Sequence, residues 1–210
     1  MRTYQITKYL LIISIVASIL IIIKGGIFSK TSIIYLIWNL FLAWIPYIIS
    51  SYLVSKDTTT NIFVPLFIIW LIFFPNTVYI VTDMVHITLS QKNMLWYDSL
   101  IFFFFAWIGL LLGMISLFQI HEYINDHLKQ KNSELIIVGV CILSSLGIYL
   151  GRFKRLNSWD IFIHPIRILF NFNKIFTDKI APVFIIVFTA FTYSTYKTVS
   201  VLLKKDNNVR

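Results

Sequence analysis

Apolar residues run almost unbroken from Tyr9 to Ile23, and runs of similar length recur at about residues 32–54, 62–81, 99–120, 134–151 and 180–203. A helix rises 1.5 Å per residue, so roughly 20 apolar residues cross roughly 30 Å of hydrocarbon. The pattern predicts an all-α integral membrane protein. It has about six transmembrane helices, a short interfacial helix between the last two, and a single transmembrane domain over residues 1–210. Polar or glycine-containing strings separate the runs: Lys24–Lys30 with Gly25-Gly26, Ser55–Asn61, and Lys129–Ser133. Pro46 sits inside the second run and predicts a kink there. Arg2 and Lys8 precede the first run as in a signal peptide. No small-x-small cleavage site follows it, so the run reads as a retained first span.

Composition agrees with this pattern. Hydrophobic residues make up 58% of the 210 and charged residues 13%, against roughly 25% charged in soluble domains. The net charge of +9 would suggest nucleic acid in a soluble chain. Here the cations lie between spans, where anionic headgroups attract them, and the aromatics lie inside apolar runs. The partner implied is the lipid bilayer of a cell membrane, not nucleic acid; protein partners are left unassigned. With Lys197 assigned to the terminal side, nine Lys and Arg fall on each face of a six-span topology. Committing Arg152 and Arg155 to a site tips that balance towards termini inside. Cys141 is the sole cysteine and falls mid-span, so an intrachain disulfide is impossible and it reads as an apolar filler.

Small residues let membrane helices approach closely, because leaving lipid gains apolar side chains little. Span four carries Ala106, Gly109, Gly113 and Ser116 on one face, and span five carries Ser144, Gly147 and Gly151. Joined by a short loop, these two spans are expected to form a close antiparallel pair.

Two stretches concentrate the chain's polar chemistry. In the first, Pro75 removes a helical hydrogen bond. If helix resumes beyond it, Asn76, Tyr79, Asp83 and His86 share one face, with Thr82 beside it. Charged groups at membrane depth are costly and normally face a cavity or a partner, although both ionisable groups here also lie near a span's end. Trp96-Tyr97-Asp98 then opens span four with two interfacial aromatics and a carboxylate, which would also serve as a helix cap. The second stretch runs from Gly151 to Asp160. Arg152 and Arg155 lie three apart at the end of span five and share a side if the helix continues. Asn157 or Ser158 can cap a short interfacial helix with Asp160 in its first turn and Ile161, Phe162, Ile163, Ile166, Ile168 and Leu169 along it.

With six spans, the ends of spans three and five share a side of the membrane. The combined set Asp83, His86, Asp98, Arg152, Arg155, Asn157 and Asp160 is therefore co-facial. Arginine pairs bidentately with carboxylate or phosphate. The two arginines thus either neutralise the aspartates or await an anionic ligand. Phe74-Pro75-Asn76, Tyr79, Thr82-Asp83, His86, Trp96-Tyr97-Asp98 and Gly151-Arg152-Phe153 through Arg155 to Asn157-Ser158-Trp159-Asp160 resemble the motifs of the DUF1361 family. The resemblance runs from about Pro65 to the end of span six. It implies a bacterial multi-pass membrane protein and supplies no reaction. Leu156 stands where the family's pattern often has tryptophan.

His121-Glu122 is not a zinc-protease motif, since Asn125 occupies the place of the second histidine. A metal held by Asp83, His86, Asp98 and Asp160 is chemically open, but the spacing does not demand one, and no cofactor is assigned. Three functions fit the polar set. One is a membrane enzyme acting on a lipid, lipid-linked or headgroup substrate, with Asp83, His86, Asp98 or Asp160 as catalytic candidates. There Asn76, Tyr79, Arg152, Arg155 and Asn157 would bind the ligand. The others are a non-catalytic binding or transport protein using the same pocket, and a scaffold or transport accessory whose polar residues only brace loops.

Overall fold

The computed structural model describes residues 2–28, 33–55, 60–89, 92–127, 132–166, 175 and 177–205. Its helices are α1 (Arg2–Phe28), α2 (Tyr35–Ser55), α3 (Thr60–Phe73), α4 (Pro75–Thr82), α5 (Leu95–His127), α6 (Ser133–Lys154), α7 (Asp160–Ile163) and α8 (Ile180–Lys205). Tight 3-10 turns cover Asp83–Leu89 and Lys92–Met94. No strand occurs among the described residues. Six segments are long and apolar enough to cross a membrane: Tyr4–Lys24, Tyr35–Ser55, Ile62–Ile87, Leu95–Asp126, Ser133–Lys154 and Ile180–Lys204. The protein is an all-helical, multi-pass membrane protein. Of the expected interfacial helix, Asp160–Ile163 is helical; Ile168 and Leu169 lie outside the described residues.

The third span is two helices joined at Phe74. Pro75 has no N–H to donate, so Leu71 loses its usual helical donor. Phe74 N still donates to Trp70 O (2.8 Å), and the Asn76 amide donates to Phe73 O (2.9 Å). The chain therefore bends into α4 without leaving the helical region.

The small-residue faces do close a contact, but not the one expected. A β-carbon added at Gly109 would lie 2.7 Å from Thr77 O, and one at Gly113 would strike the Thr77 side chain. At Gly147 it would lie 2.9 Å from Pro75 Cγ, and at Gly151 3.1 Å from the Tyr79 ring. Spans four and five thus turn their glycines onto α4, which lies between them, instead of pairing with each other through those faces. Proline and the residues after it make α4 the bulky, bent element that needs room on both sides.

Buried polar contacts tie the rest together. Ser116 Oγ accepts from Trp70 Nε1 (2.7 Å) and donates to Pro46 O (3.0 Å), a carbonyl within α2. Gln119 binds Ser50 and Ser51. A ladder of stacked rings runs from Tyr123 through Phe63, Phe67 and Trp70 to Phe74. His121, buried near the far end of α5, holds Tyr196 of α8 and Ser133 of α6 through its two ring nitrogens. At the start of α8, Asp178 accepts from Tyr149, from Lys154 and from the Ile180 N–H. The Tyr149 hydroxyl is the main cause holding the Asp178 carboxyl below its ordinary range.

Gly139 has open space around it, so Gly139→Ala should leave melting in detergent unchanged or raise it by up to about 1 kcal/mol through helix propensity. Gly113→Ala and Gly147→Ala should each cost about 1–3 kcal/mol as overpacking. Equal melting of all three would remove α4 from the position described. A depressed carboxyl stabilises the fold above its unfolded pKa of about 3.9 and loses that contribution as pH falls through the lower folded value. The difference in melting between the parent and Asp178→Asn should therefore be full at neutral pH and shrink below about pH 4.

Candidate functional site

A cavity of about 800 Å³ opens where α2, the α3–α4 junction and α6 come together, roofed by residues 155–158 and 161. Its lower part is apolar, built from Leu42, Leu71, Ile72, Leu143 and Leu146. Leu143 lies nine residues before Arg152 on α6, about 13.5 Å deeper along the helix axis. Two of the cavity's lining residues are also half-exposed on the outer surface, Leu143 at 50% and Trp38 at 53%.

The upper part is polar and is organised by Arg152. Its Nη2 donates to Asp83 Oδ1 (2.7 Å) and to Thr82 Oγ1 (2.5 Å), and its Nε donates to Thr82 Oγ1 (3.0 Å). Its Nη1 lies 3.0 Å from His86 Nε2, and its guanidinium carbon sits 4.7 Å from the centre of the Tyr79 ring. A guanidinium has no acceptor, so His86 Nε2 must supply the lone pair, which leaves the ring proton on Nδ1. Asp83 is nearly fully buried, and its second oxygen accepts from Asn39 Nδ2 of α2 (2.7 Å). Arg152, Asp83 and His86 Nε2 are thus committed to one another.

Arg155 differs. The α6 helix ends at Lys154, and Arg155 takes the left-handed conformation (φ 54°, ψ 41°) with its N–H capping Leu150 O. The two arginines therefore do not continue along one helical side as expected, although both line the cavity. Arg155 is the one non-glycine residue with positive φ among the described residues. Glycine normally fills such a cap, and a side chain there costs about 1–2 kcal/mol. The Arg155 side chain is exposed and has no partner among the described residues. Beyond it, Ser158 Oγ accepts from Asn76 Nδ2 (2.9 Å), and Trp159 meets Trp38 edge-on at 6.1 Å. These two contacts fasten the loop across α2 and α4.

A family model described as a protein of unknown function (DUF1361) matches residues 38–195. The chain belongs to the DUF1361 family. No curated protein and no solved structure matches it. The DUF1361 match takes in the cavity-lining residues named here except Tyr35 and leaves α1 outside.

Of the residues the sequence points to in this DUF1361 chain, Asn76, Tyr79, Asp83, His86, Arg152, Arg155 and Asn157 line the cavity. Asp98 and Asp160 do not. Asp98 is buried against Lys24 of α1, the cation at the end of the first span, and its place at the start of α5 serves that pair. Asp160 is buried and folds back to accept from the Asn157 N–H (2.7 Å), so it closes the turn before α7. Among the described residues no three of His, Cys, Asp and Glu gather as metal ligands. Sequence reasoning missed Tyr35, Trp38 and Asn39. Their signal was an i, i+3, i+4 cluster with a lone amide in an apolar span. The Tyr35 hydroxyl is buried without a partner among the described residues, with its ring edge-on to His86 at 5.9 Å.

Removing Arg152 strands the Asp83 carboxylate away from water. Arg152→Gln should cost about 3–5 kcal/mol, and adding Asp83→Asn should restore part of it. Strict additivity of the two changes in detergent melting would mean the pair does not form.

Proposed function

We propose that the protein sits in the cell membrane and binds an anionic, lipid-like amphiphile in this cavity, tail in the apolar lower half and head at the polar rim. The observation carrying this reading is the inventory left over after internal bonding. Apolar walls fill the depth, and the cavity-lining polar groups without a partner among the described residues include the Arg155 guanidinium, the Asn157 side chain and the His86 Nδ1–H. The Asp83 charge is matched by Arg152, so no uncompensated carboxylate remains there to repel an acidic head. Half-exposed Leu143 and Trp38 support access from the lipid side.

Binding is favoured over catalysis for a stated reason. A general base needs a free lone pair within reach of the substrate. Asp83 is nearly fully buried with its charge matched by Arg152, so its remaining lone pairs are out of a substrate's reach, and His86 Nε2 accepts from a cation. A purely bracing role accounts for Arg152, Asp83 and Asp160, but it gives Arg155 and the open cavity nothing to do.

Leu143→Trp fills the lower cavity from a half-exposed position and should not disturb folding. Native mass spectrometry of the parent, gently extracted from membranes, should show one retained lipid-like adduct. The variant should retain it roughly tenfold less, a change of about 1.4 kcal/mol. A parent without adducts, or a variant that keeps them equally, would discard the reading.

A further inference from the structure

Resting on that reading, we infer that Arg155 is the specificity-determining residue and that the head it selects is a phosphate ester, not a carboxylate or a neutral group. The two arginines of the motif have separate tasks. Arg152 spends its donors on Thr82, Asp83 and His86, so it positions α2, α4 and α6 around the cavity and has little left for a ligand. Arg155, three residues on, lines the same cavity, and its side chain has no partner among the described residues. The neighbouring cation, Lys154, is directed to Asp178 instead.

The backbone gives an independent reason. Arg155 occupies a left-handed helix cap where glycine fits without strain, and its backbone role there, donating to Leu150 O, needs no side chain. A residue held in a disfavoured conformation at a cavity rim points to a task for its side chain. The rim adds uncharged donors from Asn157 and His86 Nδ1. Together with the five N–H groups of a guanidinium, these donors outnumber what the two oxygens of a carboxylate can use. A phosphate ester presents more oxygens, carries the opposite charge, and suits the bidentate guanidinium.

The test uses the full chain in a neutral maltoside detergent, with thermal melting read alone and with added dioleoyl phosphatidate, oleate, dioleoylglycerol or inorganic phosphate. Phosphatidate should raise the parent's melting temperature most, dioleoylglycerol modestly and inorganic phosphate least. Arg155→Gly should melt about 2–4 °C higher than the parent without lipid, through release of the left-handed strain. It should respond equally to phosphatidate and dioleoylglycerol. Arg155→Lys keeps the charge without the planar fork and should lose most of the preference for phosphatidate over oleate. Equal responses of the parent to phosphatidate and dioleoylglycerol would overturn the phosphate head while leaving the amphiphile site standing. So would an equal response to oleate. A parent that answers to no lipid would remove the amphiphile site itself, and a strong response to inorganic phosphate alone would replace the lipid with a free anion. An Arg155→Gly protein that melts lower than the parent would refute the argument from the backbone.

Discussion

A guanidinium held at the edge of a bilayer has to be surrounded by acceptors, because unpaired charge at that depth is expensive. Arg152 meets this constraint with a carboxylate, a hydroxyl, an imidazole lone pair and a tyrosine face. Those partners lie on the third span, and Asn39 extends the network to the second. One side chain of the fifth span therefore fixes the relative placement of three spans. Losing any partner leaves a buried group unmatched, which makes the cluster all-or-none.

The network is reachable only because the backbone around it is unusually thin. Pro75 bends the third span, and Gly147 and Gly151 let α6 pass against the ring of Pro75 and the ring of Tyr79. Gly109 and Gly113 do the same for α5 on the other flank. The bend, together with the separation it sets between α2 and α6, is what leaves a cavity beside the arginine instead of a closed bundle. Asn76–Ser158 and Trp38–Trp159 then roof it. The organising charge is consumed within the protein, and the charge offered to a ligand is the neighbouring one.

The far end of the bundle is built on different terms. His121, with both ring nitrogens engaged, ties α5 to α6 and α8. Its bonds are those of a structural core histidine. On the site's own side, Lys24 and Asp98 hold α1 against α5. Two buried ion pairs thus stand near one interface, and the cavity touches only the one that includes Asp83.

The amino-acid sequence alone determined the spans, because twenty-residue apolar runs admit no other solution in a bilayer. It also determined that the polar groups after Pro75 and Gly151 share a side, since span parity requires it. The i, i+3, i+7 spacing placed Asn76, Tyr79 and Asp83 together before any contact was known. Tertiary structure alone decided the partners. Small-residue faces say that something approaches closely but not what, so the glycines of α5 and α6 close on α4 instead of on each other. Carboxylates near helix starts look alike in one dimension, yet Asp83 faces the cavity, Asp98 faces Lys24 and Asp160 closes its own turn. Arg152 and Arg155 are equivalent by spacing. A left-handed residue at the end of α6 separates them, and that depends on where the chain must turn to cross over α2 and α4, a matter of packing that no local pattern encodes.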